Sequence, residues 1–182
     1  MAFPVLLDTC TIFGAALNDL LLTLAERNTY RPLWSADILA ELRRNLVRHG
    51  IDEGPVDRRI GAMRDAFPDA EVTGYADLVP QMTCDDKDRH VMAAAVRGGA
   101  AIIVTFNLVD FPASALAPYT IAAVHPDDFL LDQLDLFPLV VADAVCDIAA
   151  SYERPSMTPR DYLALVGRCG APRFAQTVAR ML

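Results

Sequence analysis

The stretch "AAIIVTF", residues 100–106, most narrows what this chain can fold into. It is short, continuous and β-branched, and it follows the paired glycines Gly98 and Gly99. It reads as a strand. Other short apolar runs repeat the theme: "FPVLL" (3–7), which ends at Asp8, "YRPLW" (30–34), "AEVTG" (70–74) and "YTIAAV" (119–124). Helical patterns lie between them. Ile12, Ala15, Ala16, Leu20 and Leu24 recur at helical spacing and predict one helix over 11–26. Ser35 is a cap for a helix carrying Ile38, Leu39, Leu42 and Leu46 on one stripe and stopping at Gly50. Further helices are expected over 55–67 and from Asp86 to Arg97. Strands alternating with helices imply right-handed βαβ units, an α/β class and a mostly parallel sheet.

After Pro126 the pattern changes to helix alone, over 127–135, 138–152 and 159–180, with breaks at Pro155, Pro159 and Pro172. We expect two domains, 1–125 and a small C-terminal α-helical extension over 126–182. A hydrophobic share of 53% in 182 residues supplies a core. No run approaches the roughly 20 apolar residues of a membrane helix, and the start, with no basic region and an aspartate at position 8, does not read as a secretory signal. Cys10, Cys84, Cys146 and Cys169 are scattered without a C-x-x-C, which suits reduced thiols and a cytoplasmic setting. A net charge of −8 argues against a surface built for general nucleic-acid adhesion. It does not argue against an enzyme whose acidic site loads a divalent cation.

Ligands of open α/β sheets bind beyond the carboxyl ends of the strands. Asp8 follows the first strand directly and Asp110 follows "AIIVTF" by a short loop, so both acids fall on that edge. Alone, Asp8 reads equally as a helix cap and Asp110 as a turn residue. Together they suggest a site, because an acid ending an apolar run needs a partner, and a cation is one. In "TCDDKDRHVMAAA" (83–95), Asp85 is a natural N-cap and Asp88 the third helical residue. Val91, Met92 and Ala95 follow Asp88 at three, four and seven positions, so Asp88 heads the buried stripe. Asp86 is turned away by about 200° and Asp85 by only about 60°. Glu41 sits beside the buried stripe of its helix.

Four stretches, "LLDTCTI", "WSADILAEL", "DDKDRHVMAAAV" and "IVTFNLVDFP", in that order, resemble the PIN domain, and more narrowly the VapC-like ribonuclease toxins of bacterial toxin–antitoxin pairs. The resemblance runs from about residue 4 to about residue 125. It implies a three-layer α/β/α fold in which four acids, here Asp8, Glu41, Asp88 and Asp110, gather at the sheet edge and hold Mg²⁺ or Mn²⁺, with Asp8, Asp88 and Asp110 as metal ligands. It further implies supporting roles for Thr105, Asn107 and Ser35; the helical phase, and not the resemblance, adds Asp85 as an accessory. An RNA substrate, a VapB-like antitoxin entering the acidic groove through a basic side chain, and a homodimer follow from the same resemblance. One departure is Cys10, which stands where many members carry Asn or a similar polar residue.

The chemistry is consistent with hydrolysis of a phosphodiester, because clustered carboxylates can hold cations that activate water and neutralise phosphate. Arg43, Arg44 and Arg89 are candidates for RNA phosphate contacts or ordinary solvated charges. His49, His90 and His125 read as structural or surface residues, and Trp34 as core. A haloacid-dehalogenase-like phosphatase also opens with a strand and an aspartate, but it wants a second acid where Cys10 stands, and Lys87 is the only lysine. A non-catalytic PIN-like interaction module is the other alternative.

Overall fold

The computed structural model describes residues 2–182; Met1, counted in the first expected domain, lies outside them. In chain order the elements are β1 (Pro4–Leu7), α1 (Thr9–Phe13), α2 (Ala15–Glu26), β2 (Arg31–Ser35), α3 (Ala36–Arg48), α4 (Glu53–Ala66) and β3 (Glu71–Val72). Then follow α5 (Arg89–Gly98), β4 (Ile102–Val104), α6 (Ala113–Leu116), β5 (Ala122–Val124), α7 (Pro126–Leu136), α8 (Pro138–Ser151), α9 (Pro159–Arg168) and α10 (Pro172–Met181). Single 3₁₀ turns interrupt the connections, among them Asp86–Asp88 and Leu108–Asp110.

The chain forms two units. The first takes the residues up to Phe13 together with Tyr30–Val124, and the second takes Gly14–Thr29 with His125–Leu182. In the first unit the five strands make one all-parallel sheet in the order β3-β2-β1-β4-β5. The chain winds outward from β1 through β2 to β3, then returns to the other side of β1 for β4 and β5. Right-handed crossovers therefore carry their helices to opposite faces, and the winding reverses between β1 and β4. This is the α/β architecture expected from the alternation of strands and helices.

Packing explains the placement. Val5, Leu6, Leu7, Ile103 and Val104 are fully buried at the sheet centre. On one face α1 packs on α3 and α3 on α4, while α5 lies across β1, β2, β3 and β4. Val91 to Ala95 on α5 are all fully buried, and three of them are alanines, so the helix can approach the strands closely. Gly98 carries that approach to its limit, because a Cβ there would stand 2.9 Å from both Leu33 and Val72. Trp34 is fully buried, as read from sequence.

Three helix expectations need correction. The run 11–26 is two helices, broken at Gly14, where a Cβ would meet the Cys169 sulfur at 3.0 Å. The periodicity continues through the break, but the backbone at Gly14 is extended. The run from Asp86 is a 3₁₀ turn over 86–88 followed by the α-helix from Arg89, so Asp88 occupies the N-cap position instead of the third helical residue. Residues 159–180 divide at Gly170–Pro172 into α9 and α10.

In the second unit α2 packs against α8 and α9, α9 against α10, and α7 against α10. The Tyr162 hydroxyl donates to the Ala16 carbonyl at 2.7 Å, tying the early helix to the late ones. Asp127, 4% exposed, accepts from the Arg173 and Phe174 backbone N–H groups and from Arg173 Nε at 3.2, 2.8 and 3.0 Å. It serves as the anchor for the first turn of α10. Among the described residues no helix is long and apolar enough to cross a membrane. Hydrogen bonds to a buried charged acceptor are worth about 1.5–3 kcal/mol. Asp127→Ala is therefore expected to lower unfolding free energy by about 2–3 kcal/mol, read as a shifted denaturation midpoint. Asp128→Ala, at the exposed neighbouring acid that also pairs with Arg173, should cost under about 1 kcal/mol.

Candidate active site

Leu7 pairs with Val104 across the centre of the sheet, and the Asp8 N–H continues the ladder to the Val104 carbonyl at 3.1 Å. Asp8 and Thr105 thus emerge side by side at the carboxyl ends of β1 and β4, where the winding reverses. Both are buried, and the Thr105 hydroxyl donates to Asp8 Oδ2 at 2.7 Å. The same hydroxyl oxygen accepts from the Asn107 N–H at 3.0 Å, which fixes its orientation. Asp8 Oδ1 accepts from the Thr9 N–H at 2.7 Å. The Cys10 thiol donates to Asp8 Oδ2 at 3.1 Å, so the departure from a polar residue at this position still leaves Asp8 well supplied with donors. Burial, and then the negative charge of Asp8, push the Cys10 thiol up to about 11. It stays protonated and cannot stand in for the second acid of a dehalogenase-like phosphatase.

Asp88 and Asp110 meet through a backbone bridge. The Asp85 N–H donates to the Asp110 carbonyl at 3.2 Å, holding the 3₁₀ turn before α5 against the 3₁₀ turn after β4. Asp85 accepts from the Lys87 N–H at 3.2 Å and so caps the first turn, while Asp86 points to solvent and pairs with Arg89. Asp88 is 9% exposed, makes no side-chain cap bond, and its buried Oδ2 accepts no hydrogen bond. Burial above all, then the charge of Asp8, push its carboxyl up to about 7; Lys87 pulls the other way and Asp110 adds to the rise. The Lys87 ammonium lies 3.1 Å from Asp110 Oδ2 and 3.8 Å from Asp88 Oδ2.

Glu41 stands at the margin. Its Oε2 accepts from the Thr9 hydroxyl at 3.1 Å. An open pocket of about 460 Å³ joins Asp8, Glu41, Asp88, Lys87 and Asn107 to Phe13, Asn45 and His49. Ser35 is buried outside that wall, where it caps α3 by accepting from the Ile38 N–H at 3.2 Å, and so anchors the helix that carries Glu41. Arg43 is bound to Glu53 and Asp57, and Arg89 to Asp86. Arg44 is exposed on α3. None of the three arginines is on the pocket wall.

Several wall residues escape sequence reasoning. His49 stacks edge-on against Phe13, with ring centroids 5.0 Å apart. Asn45 and His49 follow Glu41 by one and two helical turns, a spacing that could have marked them as one face. His90 is not on that wall, but its Nε2 lies 3.9 Å from Glu41 Oε2. Lys87 carried a signal of its own, as the single lysine set among three aspartates.

Among the described residues no group of three or more His, Cys, Asp or Glu side chains is drawn together closely enough to hold a metal ion. The chemistry of an ion site is nonetheless present: hard carboxylate oxygens, a buried Oδ2 without a donor, and crowded negative charge already answered by one ammonium. Asp8, Asp88 and Asp110 fit a hard divalent cation on these grounds.

The crowding has a stability cost with a definite pH window. Asp88 titrates near 7 in the fold and near 3.8 unfolded, so its ionisation opposes folding increasingly as pH rises from about 4 to about 7. Asp88→Asn is expected to stabilise the metal-free protein by about 1–2 kcal/mol at pH 7.5, after discount for screening by Lys87 and solvent. The gain should shrink as pH falls towards 4, where the protonated carboxyl resembles the amide. Denaturant melts in a chelator at several pH values check both statements, and a destabilised variant at pH 7.5 would contradict them.

Comparison with known proteins agrees with this geometry. Residues 4–108 match the PIN domain family, and residues 126–180 match the VapC50 C-terminal domain. A Mycobacterium tuberculosis protein named "Putative ribonuclease VapC50" is 47% identical over 108 residues, which cover 59% of this chain and 63% of that protein. The chain thus matches less than two thirds of that relative's length. No solved structure matches. With more than half of its length matched, and with acids grouped where β1 and β4 end, the chain belongs to the PIN domain family.

Proposed function

We propose that this protein is a metal-dependent endoribonuclease, the toxin of a VapBC-like toxin–antitoxin pair. The observation that carries the reading is Asp88, a buried carboxyl with an unsatisfied oxygen, within electrostatic reach of Asp8 and Asp110 at the reversal point of the sheet. The name of the Mycobacterium tuberculosis relative supports RNA as the substrate.

In this reading Asp8, Asp88 and Asp110 hold Mg²⁺ or Mn²⁺, which suit all-oxygen ligands. Such an ion, when bound, supplies positive charge to the scissile phosphate and lowers the pKa of an attacking water. Thr105, the Thr9 N–H and the Cys10 thiol hold Asp8 in place and keep its oxygens aimed. Glu41, on the pocket wall and oriented by Thr9, is the carboxylate suited to take a proton from water. Asn107 offers an amide to a phosphate oxygen. Arg44 is available to flanking phosphates, a role that Arg43 and Arg89 could take only by leaving their ion pairs. Ser35 and Asp85 act through the turns and helix ends they cap.

An acidic pocket suits capture by an antitoxin segment bearing a basic side chain. Four free cysteines fit a cytoplasmic protein. We take the active form to be a homodimer, and the expected division of the chain, 1–125 for catalysis and 126–182 for the extension, as the working assignment.

Purified protein should cleave RNA internally with Mg²⁺ or Mn²⁺ and not in a chelator. Asp8→Asn and Asp88→Asn should lower the rate by on the order of 100-fold or more. Thr105→Val should lose roughly 10-fold, because it frees Asp8 without removing an acid. Wild type inert towards RNA, or acid variants as fast as wild type, would sink the proposal; release of phosphate from small monoesters would favour a phosphatase. Co-expression with the product of the adjacent reading frame should give one complex on size exclusion, and its absence would argue against the toxin role alone.

A further inference from the structure

Asp88 Oδ2 accepts no hydrogen bond, and among the described residues one lysine or arginine pairs with Asp88 and Asp110. Lys87 reaches Asp110 Oδ2 at 3.1 Å and Asp88 Oδ2 at 3.8 Å. The three partners differ in exposure. The carboxylates are 16% and 13% exposed and belong to two turns tied by the Asp85 to Asp110 backbone bond, whereas the lysine side chain is 64% exposed. Lys87 also lines the open pocket, so its stem has free volume on the solvent side. The residue type matters. Every other strongly basic side chain here is arginine, whose fork grips a carboxylate through two parallel bonds. Lysine is a compact point charge on a flexible stem, closer in form to a bare cation.

We infer that Lys87 is a tethered counter-ion: its ammonium holds the place between Asp88 and Asp110 that a divalent cation takes, and it must swing out into the pocket when that ion enters. The inference rests on the metal-dependent reading above and adds a determinant of metal affinity within the chain itself. Metal-free protein is spared the full repulsion of its acids. Metal binding then becomes an exchange of one cation for another, weaker than the carboxylates alone would give.

The test uses the full chain and the metal alone. Calorimetric titration with Mn²⁺ should give a dissociation constant roughly two- to five-fold lower for Lys87→Met than for wild type, the range expected for removing one exposed ion pair. Lys87→Arg should not show that gain. The metal-free Lys87→Met protein should melt at a lower temperature than wild type. Because Lys87 is the only lysine, reductive ¹³C-methylation, which keeps the charge, labels one side-chain amine. Its methyl resonance should move on Mg²⁺ addition, with the midpoint of metal binding. Equal or weaker Mn²⁺ binding by Lys87→Met, or a methyl signal unmoved at saturating Mg²⁺, overturns the inference and leaves the metal centre standing. If wild type and both variants bind no Mn²⁺, the metal-dependent reading falls and this inference with it.

Discussion

The pairing of Leu7 with Val104 decides where the chemistry of this fold can lie. In a parallel sheet the side chain leaving each strand falls beside the one leaving its neighbour. A one-residue slip would send every side chain of the strand to the other face. The observed register sets Asp8 next to Thr105, and the hydroxyl–carboxylate bond of 2.7 Å follows. The same register brings the loop after β4 back over the strand end, so that Asp110 can be bridged to the turn that carries Asp88. The hydrophobic pairing of β1 and β4 is therefore a positioning device for acids that would otherwise repel one another.

Holding the acids together is costly. Asp88 is buried, lacks a hydrogen-bond donor on Oδ2, and carries a carboxyl raised to about 7. Structural economy alone would have put an amide or an apolar residue there. Strain of this kind is tolerated where function needs it and the surrounding fold over-determines the geometry. Here β1, β4 and α5 are buried, while Lys87 and Glu41 line the open pocket.

Elements bounded by strong local signals were legible in the sequence. Short apolar runs ended by polar turns became β1 to β5, and a serine before an amphipathic stretch became the cap of α3. The acids at strand and helix ends were visible for the same reason, since polar residues that end apolar runs stand out. What stayed hidden depends on contacts between distant segments. The room for a side chain at Gly14, where the helix breaks, is limited by Cys169, more than 150 residues away along the chain. Strand order is not written in any single run. The pairing of Lys87 with Asp110 joins two turns that lie on either side of α5 and β4.

The second unit is built from two pieces of chain separated by nearly the whole sheet. Gly14–Thr29 leaves the first unit after α1, packs with α8 and α9, and returns to begin β2. Leu17, Leu20, Leu21 and Leu24 on α2 are fully buried. A chain ended after β5 would lose α8 and α9, the helices on which α2 packs, and would expose apolar surface worth several kcal/mol at about 25 cal/mol per Å². The helices from Pro126 onward are thus no detachable tail: the segment between β1 and β2 has its packing partners among them. Residues 4–108 and 126–180 match separate families, yet α2, which lies within the first match, completes the helical unit formed by the second.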